Sequence, residues 1–143
     1  MIMRFPRWVP GSYFMREPLQ YVDSIEVKDH QKTSLHWNRI DVDGLEIQIP
    51  KDCKEISIQY RVLCFEMTVR SNHMDESHLH LMPPFTWWLP ESGIDVQRMD
   101  EIHTVKLSVP KDWSISTQIP GENGEYFADG RYELLDGIME ANP

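Results

Sequence analysis

The sequence predicts an all-β protein, an antiparallel β-sandwich or saddle-like pair of sheets with little helix. Three observations carry that expectation. Apolar residues recur with period two over most of the chain, turn-forming residues punctuate those runs, and helical periodicity is scarce.

Short extended segments are expected over Ser24–Lys28 and Ser34–Trp37. Asp43-Gly44 suits a tight hairpin connection into a run where Leu45, Ile47 and Ile49 alternate with Glu46 and Gln48 until Pro50 stops it. Ile56, Ile58, Tyr60 and Val62 then alternate with Ser57, Gln59 and Arg61. After Val62 the phase shifts, so that Leu63, Phe65, Met67 and Val69 carry the apolar face opposite Cys64, Glu66, Thr68 and Arg70. A bulge or bend inside one long strand produces such a change. Phe85–Leu89 is a shorter candidate; Val105, Leu107 and Val109 alternate with Lys106 and Ser108; Trp113, Ile115 and Thr117 continue after a break. Val9-Pro10-Gly11-Ser12 and Ile119-Pro120-Gly121-Glu122 place Pro then Gly as a type II turn requires. Ile49-Pro50-Lys51-Asp52 returns as Val109-Pro110-Lys111-Asp112, which is shared turn chemistry rather than a repeat. Tyr132–Asp136 is the best helical candidate.

Composition bounds the function. A chain of 143 residues is enough for one domain over residues 1–143 and short for a multi-domain enzyme. With 14 Lys and Arg against 23 Asp and Glu, the net charge of −9 repels a phosphate backbone and excludes nucleic acid as a partner. No apolar run approaches the roughly 20 residues of a membrane span. The first residues lack a signal-peptide pattern, so a cytoplasmic location is expected. Cys53 and Cys64 read as free buried thiols. From Glu122 onward six acidic residues face Arg131 alone, which predicts a solvated acidic tail.

His73, His78 and His80 lie close together, with Asp75 and Glu76 between them. On a strand His78 and His80 point to the same side, as in some metal sites of β proteins, and a small metal-dependent enzyme is one reading. No acid follows His80 at useful spacing and no His-Glu-x-x-His string occurs, so surface-loop histidines are the simpler expectation. The chain also lacks a Gly-x-Ser-x-Gly elbow and a Gly-rich phosphate loop. By its own residues it is not an enzyme. Trp8, Tyr13 and Phe14 form one aromatic segment, and Phe85, Trp87 and Trp88 another. They either fill the core or form an exposed platform for peptide or carbohydrate, the alternative function of a stand-alone binding module. If Trp87 and Trp88 share one strand, one of them leaves the core side.

Phe5-Pro6-Arg7-Trp8-Val9-Pro10-Gly11-Ser12-Tyr13-Phe14-Met15-Arg16-Glu17 resembles the P-x-W-x-P-G-S-Y-x-x-R-(D/E) phrase of the glycyl aminopeptidase family of metallopeptidases, peptidase family M61. Tyr60–Arg70 resembles that family's Y-x-V-x-x-x-x-x-(S/T)-V-R strand, Val109–Trp113 its L-P-x-x-W exit, and Tyr132–Asp136 its Y-x-x-L-x-D ending. The resemblance implies a non-catalytic N-terminal β domain that scaffolds and walls the substrate cleft of a thermolysin-like domain absent from this chain. That catalytic domain would be its partner and would hold the zinc, so no cofactor is expected here. It also implies that Tyr13, Arg16 and Arg70 are interface or cleft-wall residues. The chain departs from the family in having only Met1–Arg4 before the first phrase and Asp136-Gly137-Ile138 where Asp-Ser-Pro is usual. A missing upstream strand would leave a bare sheet edge, and hence a homo-oligomer.

Overall fold

The period-two runs become antiparallel strands. The computed structural model describes residues 1–7, 13–68, 70–91 and 101–143. About 48% of residues are in strands and 10% in helices, so the protein is all-β. The first seven strands are β1 (Ile2–Arg4), β2 (Val22–Asp29), β3 (Trp37–Ile40), β4 (Gly44–Ile47), β5 (Ile56–Val62), β6 (Phe65–Thr68) and β7 (Ser71–Met74). The others are β8 (Leu79–Leu81), β9 (Leu89–Pro90), β10 (Ile102–Lys106), β11 (Ser114–Thr117), β12 (Gly121–Glu122), β13 (Glu125–Asp129) and β14 (Met139–Asn142). A helix, α1, covers Arg131–Asp136. None of the described helices is long and apolar enough to cross a membrane.

The chain divides into two compact units, Met1–Leu63 with Trp87–Glu91, and Cys64–Thr86 with Ser92–Pro143. In the first, a four-stranded sheet in the order β3-β4-β1-β9 and the β2-β5 pair share one core. Met3, Phe5, Leu45 and Ile47 meet Leu19, Val22, Val27 and Trp88 there. Ile56, Ile58, Tyr60 and Val62 pack against them at alternate positions of β5, the run that the sequence marks most clearly. β1 lies between β4 and β9. The edges of that sheet among the described residues are β3 and β9.

The phase change after Val62 is not a bulge inside one strand. β5 ends there, Leu63 donates its N–H to Tyr21 at 2.8 Å, and β6 begins in a different sheet. Register shifts sit instead in β2, between Asp23 and Glu26, where Ser24 has φ 51°, and within β6, between Phe65 and Thr68. Leu63, Phe65 and Met67, expected on a buried face, are 56%, 49% and 55% exposed.

The second unit holds a five-stranded sheet, β11-β14-β8-β7-β6, and a three-stranded one, β10-β13-β12. Its last strand corrects the reading of a solvated acidic tail. β14 lies inside the larger sheet, and Met139 and Ala141 are each 1% exposed. Acidic residues alternate with these buried ones, which a charge count does not register. Pro120-Gly121 does not form the expected type II turn, since Gly121 has φ 152° and begins β12. The tight turn is Asn123-Gly124, with φ 55° and 81°, joining Glu122 to its partner Glu125. That is the φ > 0 pair of a two-residue hairpin. The Pro10-Gly11 turn lies outside the described residues. Cys53 and Cys64 are thiols rather than half-cystines, and both are half-buried.

Asp43, fully buried in the turn between β3 and β4, ties the first unit together. Its two oxygens accept from Arg4 Nη1 at 2.9 Å, Arg7 Nε at 2.6 Å and Arg7 Nη2 at 3.0 Å. Arg4 also donates through Nε to Glu91 at 2.7 Å, just after β9. Gly44 is needed here because a Cβ would stand 2.9 Å from the Arg4 guanidinium and 2.8 Å from Ile40. Removing Asp43 takes away its charge-assisted hydrogen bonds but leaves Arg4 on Asp41 and Glu91 and Arg7 on Asp41, at a cost of roughly 1 to 3 kcal/mol. Asp43→Ala is therefore expected to destabilise the chain by that amount and Asp41→Ala, at an exposed carboxylate, by far less. Urea unfolding of the two variants checks this; equal midpoints would contradict the assignment.

Candidate functional site

Two polar clusters could carry function, and each lies within one unit. In the first unit Arg7 and Arg16 are brought side by side, the Arg16 N–H donating to the Arg7 carbonyl at 3.2 Å. Arg7 is itself anchored on buried Asp43. Beyond this clamp Tyr13, Phe14 and Met15 are 93%, 68% and 62% exposed. Three successive apolar side chains in water are unusual for a surface without a partner. The Arg16 guanidinium lies 5.8 Å from the Phe14 ring centroid, a cation–π contact. Tyr13 and Arg16 therefore belong to one local structure, whereas Arg70 is an exposed residue of the turn between β6 and β7 in the other unit. Its N–H donates to Thr68 Oγ1 at 3.1 Å.

The second cluster gathers the histidines. His78 and His80 do face the same way, and what they meet is Glu140 on β14. His78 Nε2 is 2.5 Å from Glu140 Oε2, and His80 Nδ1 is 2.6 Å from Oε1. The register explains it, since Glu140 is directly opposite His80 and His80 is opposite His73. A carboxylate only accepts, so both facing nitrogens carry hydrogen. His73 turns instead to Asp75, 3.1 Å from Nε2. Hydrogen bonds from the Ser77 N–H and hydroxyl and from His73 hold the Asp75 carboxyl well below the usual carboxylate range. Each imidazole thus has its own acceptor oxygen. Among the described residues no three His, Cys, Asp or Glu side chains are placed to hold a metal ion.

Trp87 and Trp88 form no exposed platform, and Trp8 lies outside the described residues. Phe85–Leu89 is not a strand: Pro83-Pro84 start a 3-10 turn through Phe85, and the chain stays irregular until β9. Asn72, 1% exposed, holds that turn by accepting from the Met82 N–H at 2.7 Å and donating to the Phe85 carbonyl at 3.2 Å. Trp88 is in the core of the first unit, its ring 4.2 Å from that of Phe5 and edge-on to Tyr60 at 6.2 Å. Burial pushes the Tyr60 hydroxyl up to about 12, against a hydrogen bond with the Trp88 backbone. Trp87 is half-buried.

The Peptidase M61 N-terminal domain family matches residues 1–139. The chain belongs to this family. No curated protein sequence matches it. Among solved structures, an aminopeptidase N family protein from Idiomarina loihiensis has a TM-score of 0.85 at 20% identity, covering 99% of this chain and 24% of that one. At that identity the likeness is one of fold. The M61 N-terminal domain described here therefore spans about a quarter of the length of that structure.

In this M61 domain His78 and His80 are neighbours in sequence, whereas the carboxylate they meet is not. Glu140 is 60 residues from His80, and its alternation with Met139 and Ala141 is the one local sign that it lies in a strand. Asp43 and Asn72 are not legible in the sequence either, because a buried polar residue looks like a turn residue until its partners are known. Glu140→Gln leaves only one acceptor oxygen for two imidazoles, and is expected to cost roughly 1 to 3 kcal/mol in thermal unfolding. Ser77→Ala removes a donor from Asp75, so its titration, followed by carboxyl NMR, should move up toward the ordinary range. A depressed carboxyl contributes stability at neutral pH that is lost as pH falls, and the variant should lose less on acidification. An unchanged Asp75 titration would count against the assigned hydrogen bonds.

Proposed function

We propose that this domain is the non-catalytic part of an M61 aminopeptidase-like protein, scaffolding the catalytic domain and forming a wall of its substrate cleft. The family match across residues 1–139 carries the reading. On this reading the zinc of the family is held by the catalytic domain. That domain is the proposed partner, and the location proposed is cytoplasmic.

On this reading Tyr13 and Arg16 contact the catalytic domain or the substrate's edge, because the side chains of Tyr13, Phe14 and Met15 are exposed beside the Arg7–Arg16 backbone hydrogen bond. Arg70 is proposed as a second contact from the other unit. The rival reading, a free-standing binder using Trp87 and Trp88, loses support because Trp88 is core.

The purified 143-residue chain should release nothing from glycyl substrates and carry no stoichiometric zinc; measurable turnover would overturn the proposal. Tyr13→Ala, at an exposed site, should shift the stability of the chain by less than about 0.5 kcal/mol. When the domain is joined to an M61 catalytic domain, the same change should lower kcat/KM. Unaltered kinetics would remove Tyr13 from the wall.

A further inference from the structure

Leu107–Pro110 has the composition of a strand, apolar Leu107 and Val109 on either side of Ser108, yet it belongs to none among the described residues. β10 stops at Lys106 because its partner stops there. Lys106 is opposite Glu125, the first residue of β13, and the Leu107 N–H closes on the Gly124 carbonyl at 2.8 Å. The sequence therefore provides a further strand-forming segment that has no strand partner among the described residues.

The space beside that segment is an open groove of about 730 Å³, within the range of ligand sites. One wall is Leu107–Lys111 and the other includes Ile115, Ser116 and Thr117 of β11; the tip of the β12–β13 hairpin borders it. Among the described residues β11 is an edge of the five-stranded sheet and β12 an edge of the three-stranded one. These two strand edges, with main-chain donors and acceptors along them, and the segment Ser108–Val109, which joins no described strand, border one groove. Trp113 adds an aromatic surface.

We propose that this groove binds a short extended peptide, laid in as an added strand against β11. The chemistry of the walls selects this ligand. Unpaired strand edges are complemented by another peptide backbone, in the manner of β-augmentation, with alternate side chains giving specificity. The charged lining residues are Lys111 and Glu122, which cancel, so no field favours a phosphate or other anion. β11 has four residues, which suits a peptide of about four to six residues at roughly 3.3 Å each. The inference stands on the groove and does not depend on a catalytic domain.

The experiment titrates the isotope-labelled 143-residue chain with an acetylated, amidated Val-Thr-Val-Thr-Val-Thr peptide, and with the same peptide N-methylated at alternate residues. Binding with amide shifts confined to Leu107, Ser108, Val109 and β11 is expected. N-methylation along the pairing edge should weaken it at least about tenfold, the worth of one net backbone hydrogen bond. Equal binding of the methylated peptide would overturn the proposal, as would shifts confined to other regions or no shift up to about 1 mM peptide. Maltohexaose moving the same amides while the peptide does not would make the groove a sugar site. Dilution-dependent shifts at these amides without peptide would make a second copy the occupant. Either result would likewise reject the peptide.

Discussion

Asp43 holds a fully buried carboxylate, and the guanidinium groups of Arg4 and Arg7 are what make that burial tolerable. An isolated charge there would cost several kcal/mol, so the three residues form one unit of folding. Through Arg4 the network reaches β1 and, by way of Glu91, the chain that follows β9. Through Asp41 and Asp43 it closes the β3–β4 turn, and through Arg7 it sets the base on which Arg16 is positioned. The order of the four-stranded sheet and the placement of the exposed Tyr13 side chain both follow from where this carboxylate finds its partners.

The second unit uses the same device with weaker groups. Glu140 takes two imidazoles from the segment before and within β8, fixing the register of β14 at a position 60 residues away. Asn72 holds the Pro83–Phe85 turn by accepting from the Met82 N–H just before it and donating to the Phe85 carbonyl at its end. In both cases a polar side chain buried or half-buried on a sheet determines which segments meet. Apolar packing alone is less particular, since many registers bury similar area.

Much of the architecture is legible in local pattern. Ile56–Val62 matches its alternating run residue for residue, and Leu45 and Ile47 are buried as the alternation requires. The short helix falls at Arg131–Asp136, one residue longer than the Tyr132–Asp136 pattern. Two local signals went unread: Asn123-Gly124 as a hairpin turn, and the Met139-Glu140-Ala141 alternation within an acidic stretch. The candidate sites were less legible. His78 and His80 could be paired by strand geometry, but neither Glu140 nor Asp43 has a neighbour in sequence that announces its partner.

The sequence alone determined the all-β class, the family, the main strand runs and the scarcity of helix, because propensity, alternation and turn chemistry act over a few residues. Only the tertiary structure decided which apolar faces are covered: Leu45 and Ile47 are buried, while Leu63, Phe65 and Met67, in an equally regular alternation, are exposed. It also decided that β10 would end at Lys106 and leave Leu107–Pro110 beside an open groove. The reason is that a period of two states which residues share a face and is silent on what that face meets. Partner and register are properties of residues far apart in the chain.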